Sequence, residues 1–137
     1  MTTSNQSPLL LSQRIVQICL FLFAVIAIFG GVLQMYLGEP DTTPRLDNIH
    51  RFLAGIYLAC GFICFWAAST IRKQNTLVFL IALAGLLGAT GRLISMAKVG
   101  LPEPNTPWIV YLLAEIIIPV IIIASQVITN KKLKSQI

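Results

Sequence analysis

Charge is what this sequence has least of. Only 11% of its 137 residues are Asp, Glu, Lys or Arg, against 56% hydrophobic residues, and the mean hydropathy is +0.82. A soluble domain of this size carries about a quarter charged residues, so water is excluded as the main solvent of the fold and lipid is implied. Histidine is nearly absent. His50 stands alone, which excludes a histidine-rich metal site, and neither a metal nor a cofactor is expected. Cysteine is sparse as well. Cys60 and Cys64 lie four apart, one helical turn along one face, which is neither a C-x-x-C redox motif nor a disulfide framework. Their expected role is packing. No nucleophile elbow, P-loop or dinucleotide fingerprint occurs, so no catalytic residue is assigned and an enzyme in its own right is not expected. Internal repeats, low-complexity tracts and a soluble domain are also missing.

What is present is four long apolar runs, Ile15–Leu37, Ile49–Ile71, Leu77–Ala97 and Trp108–Ile128. A helix needs about 20 residues to cross roughly 30 Å of hydrocarbon. The runs are continuous, without the period-2 alternation of a membrane strand, so helices are predicted. The fold class is therefore all-α, a polytopic membrane protein built as a four-transmembrane-helix bundle in a single domain, residues 1–137. Its spans are about 15–37, 47–71, 76–97 and 107–128, with short cytoplasmic tails 1–13 and 129–137. The first run is too long for a signal-peptide core, no cation precedes Arg14 and no small-residue cleavage site follows, so it is expected to be retained. Helix caps are predicted at Ser12, Thr43 before Pro44, Asn75, and Thr106 before Pro107.

The distribution of charge sets an orientation. Arg14 precedes the first run, Arg72 and Lys73 join the second and third, and Lys131, Lys132 and Lys134 follow the fourth, with no acid in these regions. The other two loops mix Glu39, Asp41, Asp47 and Glu103 with Arg45 and Lys98. By the positive-inside rule both termini and the middle loop are cytoplasmic, and the other two loops face the periplasm or its equivalent. The net charge of +5 then points to anionic lipid headgroups rather than nucleic acid as the partner of the basic tail. Trp108, Tyr111 and Tyr36 fall where an aromatic belt at the outer interface would place them.

Three charges lie where apolar residues belong: Arg51, Arg92 and Glu115. Near the membrane centre each would cost a few kcal/mol unless paired or hydrated. Counted at about 1.5 Å per residue from the outer ends of their helices, all three reach the outer half of the membrane. Gly85, Gly88 and Arg92 share a face of the third helix, a small-residue stripe of the kind that admits a neighbouring backbone. Asp47 and Arg51 form an i,i+4 pair beside His50. Trp108, Tyr111, Leu112, Glu115 and Pro119 form a stripe on the fourth helix, where Pro119 leaves the Glu115 carbonyl without its helical donor. Two readings stand together. One is a structural network, Asp47–Arg51 and Arg92–Glu115. The other is an outward-facing polar pocket between helices 2, 3 and 4, with Asn48, His50, Arg51, Arg92, Ser95 and Glu115 as ligand-binding candidates. Asp47, Gly85, Gly88, Gly91 and Pro119 are the structural candidates.

The stretches "DNIHRFLAGIYLACG" at 47–61 and "GATGRLISMAKVGLPEPNTPW" with "AEIIIP" beyond it resemble the two signatures of domain-of-unknown-function family 4345, over roughly residues 15–128. The resemblance implies small bacterial four-helix membrane proteins, DoxX-like in broad architecture. It matches Asn48, His50, Arg51, Gly55, Gly91, Arg92, Ser95, Gly100, Pro102, Glu115 and Pro119 to the family's pattern. It implies no established activity.

Four function classes follow. A binding protein would hold a lipid, a quinone or another small polar or anionic amphiphile in that pocket, or serve as an accessory subunit of a membrane complex. The loop "VGLPEPNTP", stiffened by three prolines, would be its lid or a rigid connector. A small transporter would need a carboxylate free to trade protons, so the pairing of Glu115 discriminates. The DoxX-like relation implies at most a subunit of a quinone-linked oxidoreductase. A structural or assembly protein, in a homo-oligomer or larger complex, would use the small-residue faces.

Overall fold

The computed structural model describes residues 8–135. Four α-helices account for most of them: α1 (Leu11–Leu37), α2 (Pro44–Ser69), α3 (Thr76–Val99) and α4 (Asn105–Lys134), with a single 3-10 turn at Ile71–Lys73. No strand occurs among the described residues. All four helices are long and apolar enough to cross a membrane, and only 17–28% of each apolar window is buried within the protein. Large side chains such as Phe29, Phe52, Phe62 and Leu87 are each 59–70% exposed. Lipid is the medium in which such faces are stable. The protein is an all-α, multi-pass membrane protein.

The helices start and stop where polar chemistry tells them to, which an apolar count alone misses. Thr43 caps α2 as expected, accepting the Leu46 N–H at 3.3 Å ahead of Pro44. The other three caps differ. α1 begins at Leu11, so Ser12 lies inside it, and Gln13 instead accepts the Leu10 N–H at 3.1 Å, the reach-back half of a capping box. Asn75 holds the cap position of α3, but its side chain makes no capping bond because it is engaged by α4. α4 begins at Asn105 with Pro104 as its cap, two residues before the expected start. Pro107 is tolerated there because the first four N–H groups of a helix need no helical partner. α4 also runs on to Lys134. Lysines are good helix formers and favour the negative end of the helix dipole. Residues 1–7 and 136–137 of the expected tails lie outside the described residues.

The chain divides into two compact units. One is Gln17–Thr70, and the other holds α3, α4 and the start of α1 up to Val16.

In the first unit α1 and α2 form an antiparallel hairpin. Gln17 Nε2 donates to the Ala68 carbonyl at 3.0 Å, and Phe21 packs edge-on to Phe65 at 5.6 Å. Further along, a Cβ on Gly61 would lie 2.8 Å from the Ile28 nitrogen, and one on Gly31 would lie 2.8 Å from the Leu58 nitrogen. Backbone passes so close that only glycine fits, the small-residue packing of membrane helices. These two glycines, rather than Gly88 and Gly91 of α3, are where backbones meet.

In the second unit α3 and α4 form another antiparallel hairpin, joined by residues 100–104. The start of α1 is tied to the end of α4 by Ser12 Oγ, 2.7 Å from Thr129 Oγ1. Both residues are at most 5% exposed.

Candidate functional site

The second unit carries the most distinctive polar group. Arg92 sits seven residues before the end of α3, and Glu115 ten residues after the start of α4. At about 1.5 Å per residue both lie two to three turns from the α3–α4 connection. Arg92 Nε donates to Glu115 Oε2 at 2.8 Å, with the side chains 33% and 22% exposed. Two rings flank the guanidinium. Its Cζ lies 5.7 Å from the centroids of both Trp108 and Tyr111, which stand edge-on to each other at 6.1 Å. That is cation–π range, and the rings stabilise a cation that has left bulk water. Trp108 and Tyr111 are three residues apart and Glu115 four further on, so one α4 face presents all three.

Gly88, one turn from Arg92, does not admit a backbone. A Cβ there would lie 3.9 Å from Glu115 Oε2, an ordinary contact, so Gly88 faces the carboxylate and only a side chain longer than alanine would press on it. Gly85 is half-buried, whereas Gly91 is exposed and a Cβ on it would meet nothing within 4 Å. Pro119 is fully buried in an unbroken α4.

Among the described residues, Arg92 Nη1 and Nη2 and Glu115 Oε1 make no hydrogen bond. The pair is joined through one atom each and shows an uncommitted donor fork and an uncommitted acceptor.

The first unit holds the second ion pair. Arg51 Nε donates to Asp47 Oδ2 at 2.9 Å. Its Nη1 donates to the Met35 carbonyl and, at 3.3 Å, to that of Tyr36. These are last-turn carbonyls of α1, which have no helical donor of their own. Asp47 Oδ1 in turn accepts the Glu39 N–H at 2.7 Å. Gly38, at φ +64°, closes the motif. Its N–H reaches the Gln34 carbonyl at 2.9 Å, and a side chain there would overlap both Arg51 and Asp47. The arrangement is a clamp on the end of α1.

The site candidates fall in two units. Arg92 meets Glu115 in one unit and Arg51 meets Asp47 in the other, each pair complete within its own unit. Asn48 and Ser95 are exposed and His50 is half-buried, and none makes a side-chain hydrogen bond among the described residues. Three features escape a reading of the sequence. Trp108 and Tyr111 read as a belt and are the walls around Arg92. Gly38 reads as a loop residue. The third feature is an amide cluster in the second unit. Gln126 Nε2 donates to Asn75 Oδ1 and Asn130 Oδ1, both at 3.2 Å, and Asn130 Nδ2 donates to Asn75 Oδ1 at 2.9 Å. The i,i+4 polar pair Gln126 and Asn130, at the end of an apolar run, is its only signal.

A family model described as "Domain of unknown function (DUF4345)" matches residues 15–126. The chain belongs to the DUF4345 family. No curated protein and no solved structure matches it. In this DUF4345 protein both ion pairs, Gly38 and the aromatic walls fall inside the matched stretch, which ends at Gln126 before Thr129, Asn130 and the terminal lysines.

Proposed function

We propose that this protein binds the polar or anionic head of a small amphiphile, a lipid or a quinone, at Arg92 and Glu115. We further propose that it does so from the outer leaflet of a bacterial cytoplasmic membrane, with both termini in the cytoplasm. The observation that carries the binding reading is the half-used ion pair. A guanidinium and a carboxylate brought together only for stability gain most from two parallel hydrogen bonds. Here one bond holds the pair, and the remaining N–H groups and oxygen are left to a ligand. Ser95, three residues beyond Arg92 and exposed, is the further candidate contact on α3. Arg51, on α2, is read as a clamp because α1 carbonyls take its donors. The orientation is supported by the six cations, without an acid, that follow or precede the spans on one side. Proton-coupled export is disfavoured, since Glu115 is paired at 2.8 Å rather than free.

Trp108 supplies the test. With Trp66 replaced by Phe it is the sole tryptophan, and it stands beside Arg92. Titration with a short-chain phosphatidylglycerol and, separately, a short-tailed quinone should change its emission saturably for the class that binds. Arg92→Gln should weaken that binding about tenfold or more, the worth of a charged hydrogen bond. Emission that responds to neither probe, or equal binding by the Arg92→Gln protein, overturns the reading.

A further inference from the structure

The second unit has another end, and it is strongly basic. Arg14 lies one turn into α1, Arg72 and Lys73 in the 3-10 turn before α3, and Lys131, Lys132 and Lys134 in the last turn of α4. All six are exposed. The acids of this unit, Glu103 and Glu115, belong to the α3–α4 connection and the half of α4 next to it, at the opposite ends of both helices.

In the sequence these cations are three separate groups. Hydrogen bonds join them. Ser12, two residues before Arg14, is bonded at 2.7 Å to Thr129, two residues before Lys131. Asn75, two residues after Lys73, accepts at 2.9 Å from Asn130, the residue before Lys131. Gln126, only 2% exposed, anchors both asparagines from beneath. Thr129 is held in turn by its own bond to the Ser125 carbonyl at 3.0 Å. Three chain segments therefore converge on an amide and hydroxyl floor, and each carries its exposed cations within four residues of it.

We infer that this end is a single binding site for an anionic lipid carrying two phosphates. A lone basic tail attracts any anionic surface in proportion to its charge. Cations brought to one rim from separate segments can instead engage two phosphates of one headgroup together, and the second engagement is then intramolecular. The amide floor lies at the level where the apolar runs of α3 and α4 give way to polar residues, so the acyl chains of such a lipid meet apolar helix faces directly below its head. The site is distinct from Arg92 and Glu115, and it does not depend on their binding anything.

Native mass spectrometry of the full-length protein in mild detergent tests this. The probes are a tetraoleoyl diphosphatidylglycerol and dioleoyl phosphatidylglycerol, titrated at equal phosphate concentration. The two-phosphate lipid should bind one per chain and more tightly than two copies of the one-phosphate lipid. Lys131→Gln with Lys132→Gln, or Arg72→Gln with Lys73→Gln, should each weaken it roughly 25-fold, about fivefold per cation lost near the surface. Either pair alone should abolish the preference over the one-phosphate lipid. Lys98→Gln, toward the other end of α3, should leave it unchanged. Equal binding of the two lipids per phosphate, seen already in the unmodified protein, overturns the inference. So does a preference that survives loss of either cation pair, or one that Lys98→Gln removes equally. Loss with Arg92→Gln alone would move the lipid to the first site.

Discussion

Three glycines allow the clamp on α1 to be weighed. Gly38 has φ +64°, and a side chain on it would also overlap Arg51 and Asp47. Gly100 has φ +90°, and a Cβ on it would meet nothing within 4 Å, so it isolates the backbone cost. Gly91 is helical, exposed and equally open, so it carries neither cost. Alanine at Gly100 should destabilise by about 1–3 kcal/mol, the penalty for an L-residue in a region reserved for glycine. Alanine at Gly38 should carry a similar backbone penalty and in addition displace the guanidinium. That adds about 1.5–3 kcal/mol for a charged hydrogen bond lost, since the α1 carbonyls and Asp47 lose their donor together. Alanine at Gly91 should be neutral or stabilising by about 0.5–1 kcal/mol, as in any exposed helix interior. Unfolding of the three proteins in one detergent, by heat or denaturant, should rank them Gly38→Ala least stable, then Gly100→Ala, then Gly91→Ala. If Gly38→Ala unfolds together with Gly100→Ala, the overlap is harmless and the clamp is not rigid. If Gly91→Ala falls below Gly100→Ala, backbone geometry is not what governs these positions.

Other outcomes follow from the same geometry. Reporter fusions at Ile137 and within residues 100–105 should report opposite sides of the membrane, the first cytoplasmic; both on one side would end the four-span topology. Gly88→Leu should lower the melting temperature more than Leu87→Phe, because leucine atoms beyond Cβ at 88 would press on the Glu115 carboxylate while Leu87 is 62% exposed; equal melting of the two would remove Gly88 from the site. Arg92→Gln and Glu115→Gln should each cost about 1–3 kcal/mol, below the 3–5 of a sealed pair because both side chains keep some solvent, and the double variant should cost less than the sum; additive losses in a double-mutant cycle would mean that the two do not interact.

Apolarity is legible over long windows and polar geometry is not. Four spans, their helical character and the pairing of Asp47 with Arg51 follow from run length and i,i+4 spacing, which are local properties. Sequence patterns expect capping bonds at Ser12, Asn75 and Thr106 that do not form, although Asn75 does hold the cap position of α3. For the first two the reason is shared: a capping residue is also a good partner for another helix. Tertiary hydrogen bonds take Ser12 to Thr129 and Asn75 to α4. The glycines show the same limit. Gly88, spaced i,i+3 from Gly85, suggests a backbone contact but faces the Glu115 carboxylate, while close backbone approaches fall at Gly31 and Gly61, which lie on different helices and have no spacing to be read. Sequence places Trp108 and Tyr111 by depth and on one face of α4 with Glu115. Their second role depends on which α3 residue faces them, a non-local fact.

The two arginines show how one residue type serves two purposes. Each ionised group in an apolar span costs about 3 kcal/mol at the centre of the membrane, and apolar side chains of equal volume often replace an ion pair without loss. Stability alone therefore does not account for either pair. Arg51 has a structural answer: its Nε goes to Asp47 and its Nη1 to the Met35 and Tyr36 carbonyls, which would otherwise lack donors. Fold geometry takes up those donors. Arg92 is kept at its depth differently. Trp108 and Tyr111 stabilise the cation through their ring faces, an interaction that uses charge and consumes no N–H. Glu115 takes the one donor at Nε. The register of α3 on α4 does not need the pair either, because Asn75, Gln126 and Asn130 already fix it at the far end. What the arrangement adds, and what an apolar substitute would lack, is a stabilised guanidinium whose forward N–H groups remain available. That difference is the argument for recognition at Arg92 and against it at Arg51.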